Sequence, residues 1–371
     1  MAIDKVTSAS ITDSAVTDAK LSFNANQFRN IIINGDMSIA QRATSTASIT
    51  GNGYHTVDRF QSLVNTLGTW TQSQSTDVPT GQGFAKSLKM DCTTADASPS
   101  AGDFCIIRQS IEGQNLQYLK KGTSSAESTT LSFWVKSAKT GTYIAELEDQ
   151  DNGRQISQSY TISSADTWEK KTLTYAGDTT GAFNNDNLTS LRLKFWLGAG
   201  TTYTSGTLST TWTSSTDANR AVGQVNLADS TSNEWYITGV QLEAGTTASD
   251  FEFLPHDVNL QRCYRYYYIY VSGLNKQVSN AMAYNSGLVN GVVQLPTTMR
   301  TTPSLDMVTG TNYYQAYGNN TADSFNSFTL LESSPNIAGL RNSSEFSGTQ
   351  GYAYFYFTAN SASEIAFSAE L

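Results

Sequence analysis

Long apolar runs are missing from this 371-residue chain; the longest, such as Ile31-Ile32-Ile33, are strand-sized. A helix that crosses a bilayer needs about 18 or more consecutive apolar residues, so no membrane insertion is expected. Positive charge is scarce: 23 Lys and Arg stand against 32 Asp and Glu, a net charge of −9. Such a field repels phosphate backbones and argues against nucleic acid as a partner. The two histidines, His55 and His256, are far apart, and no third ligand accompanies either, so no metal is expected. The three cysteines, Cys92, Cys105 and Cys263, are an odd set. They leave a Cys92–Cys105 bridge open, although a reducing compartment of synthesis is the default. The opening Met1-Ala2-Ile3-Asp4-Lys5 lacks the apolar stretch of a secretory signal, which points to synthesis in a cytoplasm. No serine elbow, CxxC pair, HExxH or phosphate-cradling glycine loop occurs, so neither catalysis nor a cofactor is expected.

What the chain does have is 19 Tyr, 16 Phe, 27 Gly and much Thr, Ser and Asn, with only 15% charged residues. That composition favours strands. Residues 6–25 repeat every five positions, opening on Val6, Ile11, Val16 and Leu21. One aliphatic per five residues cannot make a core within one chain, but several copies wound about an axis can bury it. Residues 1–29 are therefore expected to be a fibrous stalk or anchor. From Phe28 onward the period becomes two. Leu131, Phe133 and Val135 alternate with Ser132, Trp134 and Lys136, and four large apolars from Leu191 to Leu197 alternate with Arg192, Lys194 and Trp196. Alternation with one polar face is the mark of antiparallel sheets. An all-β chain is predicted: a jelly-roll sandwich over 30–252, then a smaller β domain over 253–371 that ends in the apolar run Gly351–Thr358 and in Ile365–Leu371. A strand that apolar is expected to be paired or covered.

Some of these residues form a familiar pattern. Asn30 to Arg42 contains Asn34-Gly35-Asp36 and Gln41-Arg42, followed by Asp58-Arg59-Phe60. Later come Val240-Gln241-Leu242-Glu243-Ala244-Gly245, Phe251-Glu252, Cys263-Tyr264-Arg265-Tyr266-Tyr267 and Pro296 to Pro303. In pieces across residues 1–300 and at the C-terminal end, this resembles bacteriophage tail fibre proteins, most specifically at the junction from Val240 to Tyr267. Leu131–Lys136 and Gly141–Tyr143 also look like central strands of a carbohydrate-binding jelly roll. The resemblance implies a homotrimeric fibre subunit made in the host cytoplasm and carried on the virion. It further implies joining of other tail proteins through the N-terminus, and targets among host polysaccharides or lipopolysaccharide.

Sugars are held by aromatic faces with charged or amide groups at their edges. Trp134 with Lys136, and Trp196 with Arg192 and Lys194, are the candidates; neighbouring strands would bring the two indoles into one platform. The competing expectation is burial of these indoles at a sheet or subunit contact. Tyr266 and Tyr268, in the run Tyr264–Tyr270, are a rival site or trimer packing. Glu146 and Glu148 share a strand face and are the carboxylates a depolymerase would use. The following Asn152-Gly153 makes a solvated edge and hairpin turn the plainer expectation. The alternatives to a non-enzymatic fibre are thus a structural virion protein (capsid decoration or tail adaptor) and, more remotely, a depolymerase.

Overall fold

Residues 28–371 are described by a computed structural model; the five-residue period at Val6, Ile11, Val16 and Leu21 lies outside them. The period-two segments fold as two facing antiparallel sheets. The first is six-stranded, in the order Ser45–Ile49, Thr69–Ser75, Ser87–Thr94, Glu234–Ala244, Thr129–Ser137, Glu169–Tyr175. The second is seven-stranded: Thr213–Ser214, Arg154–Ile162, Gly141–Asp149, Thr189–Ala199, Phe104–Glu112, Gln61–Asn65, Gly53–Tyr54. Leu131, Phe133 and Val135 of one sheet meet Leu191, Leu193, Phe195 and Leu197 of the other in a single core. Each such side chain contributes about 1.5–3 kcal/mol by leaving water. This is the expected all-β jelly-roll sandwich.

A second β unit follows. A three-stranded sheet (Tyr267–Ser272, Glu364–Ser368, Ser304–Met307) packs against a seven-stranded one. The latter runs Thr321–Phe325, Tyr314–Gly318, Ala353–Thr358, Gln277–Asn285, Leu288–Gln294, Ile337–Asn342, Thr329–Ser334. The apolar strand Ala353–Thr358 is paired on both edges, as its composition required. Its outer face is open, with Phe355 47% exposed.

Two local expectations fail. Ile31-Ile32-Ile33 is buried but is not a strand. Its amides go to Leu242 O, Asn30 Oδ1 and Gln109 Oε1, so the segment ties the two sheets together instead of joining a ladder. The boundary region carries a nine-residue helix, His256–Tyr264, started after Pro255, with Asp257 in its first turn and Arg262 in its last. It takes Tyr264 out of the tyrosine run, whose strand begins only at Tyr267. Cys92, Cys105 and Cys263 are all buried free thiols.

Candidate functional site

The strand Thr129–Ser137 sends Ser132, Trp134 and Lys136 to the outer face of the first sheet, opposite its core residues. Register sets their neighbours. Trp134 lies across from Lys170 on one side and Thr238 on the other; Lys136 lies across from Tyr236, which also faces Lys89. The Lys136 ammonium sits 4.3 Å from the Tyr236 ring centre and 5.9 Å from that of Trp168. Asp77 ties this group together: it pairs with Lys136 and accepts from Trp168 Nε1 at 2.9 Å. Burial alone would push the Asp77 carboxyl up, but the Lys136 and Trp168 hydrogen bonds outweigh it and hold the group below the usual range.

Beside Trp134 the face deepens into a cleft of about 300 Å³. Ser132, Trp134 and Gly239 line it from the sheet, Phe84, Phe251 and Phe253 wall it, and Gln82, Asp250 and Lys170 add polar groups. The three phenylalanines brace one another at centroid distances of 4.8–5.1 Å. Gly239 has φ +62°, within a register shift between Thr238 and Gln241, and a Cβ there would stand 2.5 Å from the Phe84 ring. Only glycine lets this wall close on the sheet. Lys170 is exposed and has no carboxylate partner among the described residues. An indole and phenylalanine rings beside a free ammonium, an amide and a carboxylate can stack on an apolar ring face and bond its substituents. Of these residues the sequence reading found Trp134 and Lys136. It missed Lys170 and Tyr236, whose signal was their place on alternating strands, and the phenylalanines, which come from loops.

The expected two-indole platform does not form. Trp196 lies on the other sheet, because Thr189–Ala199 pairs with Gly141–Asp149 and Phe104–Glu112 and not with the Trp134 strand. Trp196 is 1% exposed, under Tyr203 and Leu208, and donates to Glu146 Oε2 at 2.9 Å. Glu146 and Glu148 are not a solvated edge either: their strand lies inside the sheet and both are buried. Arg220 Nη1 reaches both carboxylates at 2.6 and 2.7 Å, Lys194 reaches Glu148 at 2.7 Å, and Arg192 pairs with Glu148 at 3.5 Å. Burial pushes Glu148 up, but Lys194 and Arg220 prevail and bring it to about 2. Arg192 and Lys194 are thus committed to an internal ion network. Tyr266 is 1% exposed, with its hydroxyl on Glu112 at 2.5 Å, and Tyr268 is half-buried against Tyr264 and Tyr270. Neither joins Trp134.

The motif residues that carry the family resemblance converge elsewhere, on the seam between the sandwich and the second unit. Arg59, buried, stacks 3.4 Å from the Tyr266 ring centre, pairs with Glu370 and donates to Ser110 O at 2.8 Å. Arg42 lies 3.5 Å from the Tyr267 ring centre and 3.4 Å from Glu370. Gln41 donates to Tyr267 O at 2.8 Å, Arg265 grips Glu112 with two bonds of 2.6–2.7 Å, and Arg300 donates to Ala369 O and Glu370 O. Gly35 permits the approach of Val240 O, which a Cβ would meet at 2.1 Å. The Gly35 approach is internal to the sandwich; the other residues, with Arg300 Nη1 also donating to Asn187 O at 3.2 Å, build a latch between the two units.

No protein-family model matches the chain, and no curated protein sequence matches it. Among solved structures, the enzymatically active domain of tailspike protein 4 from bacteriophage CBA120 is similar over 58% of this chain, at 16% identity and a TM-score of 0.31. This chain spans about a fifth of that one, 21%. A putative sugar binding protein from Bacteroides thetaiotaomicron aligns over 58% of this chain and 99% of its own, at 13% identity and a TM-score of 0.30. The family 11 carbohydrate-binding module from Clostridium thermocellum, solved with a mixed-linked tetrasaccharide, aligns over 55% and 98%, at 11% identity and 0.26. Likenesses this distant assign the chain to no family.

Proposed function

We propose that this chain is a non-enzymatic attachment subunit of a phage tail fibre, which holds host-surface glycans in the Trp134 cleft. The observation that carries the reading is the cleft itself: an indole, a braced phenylalanine wall and Lys170, unpaired among the described residues, on an outer sheet face. The tail-fibre motifs from Asn34 to Tyr267 support the virion setting. Residues 1–29 would join the particle, and three copies would multiply weak single sites by avidity. The open face of the last sheet supports self-association: Met282, Tyr284, Val292 and Phe355 are 47–65% exposed on it. A depolymerase fits less well. Glu148, brought to about 2, is no proton donor at neutral pH.

The test is binding of the purified protein to host polysaccharide. Trp134→Ala should weaken it at least tenfold, about 1.4 kcal/mol, with thermal unfolding little changed, and the wild-type protein should block phage adsorption. Unchanged affinity in the variant overturns the cleft. Binding to virions alone would point to a structural virion protein, and release of reducing ends to a depolymerase.

A further inference from the structure

A second cavity, of about 400 Å³, lies on the seam away from Trp134. Its walls are the Asn30–Ile33 segment, the end of the strand Phe104–Glu112, the turns that follow it and the helix His256–Tyr264. Two arginines line it, and they are used differently. Arg265 is spent on Glu112, bound by two nitrogens. Among the described residues Arg262 makes no ion pair, and its one side-chain hydrogen bond is a long 3.4 Å contact to Asn30 O. Glu252, the acid of the adjoining segment, is taken by the backbone amides of Phe28 and Asn30 at 2.5 and 3.0 Å. Burial pulls the Arg262 guanidinium below its ordinary value, although it stays a cation at any physiological pH.

Glu252 is near enough for its charge to favour the cation, but it makes no ion pair with Arg262, and a partly desolvated guanidinium with no carboxylate in contact is costly unless something completes it. A carboxylate does so with two parallel hydrogen bonds. The other lining groups narrow the ligand. Tyr118, 49% exposed, presents a ring for stacking, and Asn115 an amide for hydroxyls. Ser110 Oγ is buried with no hydrogen-bond partner among the described residues. The volume falls at the lower end of ligand sites. We infer that this cavity is a subsite for a carboxylate-bearing sugar, a uronic acid residue, with Arg262 holding its carboxylate and Tyr118 its ring. The sugar part rests on the glycan-binding reading above; the carboxylate part does not.

The test titrates the full chain with sodium glucuronate, glucose and sodium acetate, followed by NMR. Glucuronate should bind at least tenfold more tightly than either control. Arg262→Gln should lower glucuronate affinity at least tenfold. Tyr118→Ala, at an exposed position where folding is not at stake, should lower it severalfold. Equal binding of glucose overturns the role of the carboxylate, and equal binding of acetate overturns the role of the sugar. Unchanged affinity in both Arg262→Gln and Tyr118→Ala, or no glucuronate binding at all, overturns the site. Should the Trp134 cleft prove not to bind glycan, glucuronate binding that still depends on Arg262 would stand alone.

Discussion

Two buried carboxylates show how similar burial can lead to opposite pKa shifts. Burial pushes Asp58 up, and the hydrogen bonds from Gln41 only partly offset it, leaving it at about 6 against an ordinary 3.8. Glu148 meets Lys194 and Arg220 and falls to about 2 against 4.5. The consequences for stability have opposite signs. Glu148 favours the folded state above pH 4.5, and that contribution is lost as pH falls from about 4.5 to 2. Asp58 keeps its proton longer when folded, so stability falls as pH rises from about 3.8 to 6. The Asp58 displacement corresponds to roughly 3 kcal/mol. Urea unfolding of the wild-type protein should therefore give its highest midpoint near pH 4, and Asp58→Asn should remove most of the decline between pH 4 and 6. A decline of the same size in the variant would contradict this account of Asp58.

At the level of strands, alternation in the sequence was enough to predict the sandwich and the inward sets at Leu131–Val135 and Leu191–Leu197. It also identified which residues face outward, Trp134 and Trp196 among them. It could not say which outward faces share a sheet, because pairing between strands far apart in sequence leaves no mark in either one. That is why a shared platform for the two indoles stayed open beside burial, although they lie on different sheets. Nor does a strand pattern reveal what covers its polar face: the segment carrying Tyr203 and Leu208 buries Trp196, while Phe84, Phe251 and Phe253 leave Trp134 at an open cleft. The helix His256–Tyr264 escaped notice because nine residues with little amphipathic contrast give a weak period. The cleft wall depends on one irregular position. Gly239→Ala places a methyl against Phe84 at φ +62°, and should cost about 1–2 kcal/mol from backbone conformation alone. Displacing Phe84 should also weaken glycan binding. Calorimetry of the variant checks the first effect and a polysaccharide titration the second; wild-type values in both would show that the wall is not set by this glycine.

Across the whole molecule, three regions carry different tasks. The motifs that resemble tail fibres join the sandwich to the second unit through Arg59, Arg42, Arg265 and Arg300. The cleft and the Arg262 cavity face outward from that frame. The last sheet presents Met282, Tyr284, Val292 and Phe355, an apolar surface of the kind that marks an interface. If three chains meet there, light scattering should give three times the 40.2 kDa of one chain, and Val292→Lys with Phe355→Lys should reduce it to one. A wild-type monomer, or a trimer untouched by both lysines, would remove this face from the assembly. The central claim concerns the first sheet, and a crystal structure with an oligosaccharide released from the host surface tests it most directly. A sugar ring stacked within about 4 Å of the Trp134 indole is the predicted result. Sugar bound on the second or the last sheet, with the Trp134 cleft empty, would contradict it.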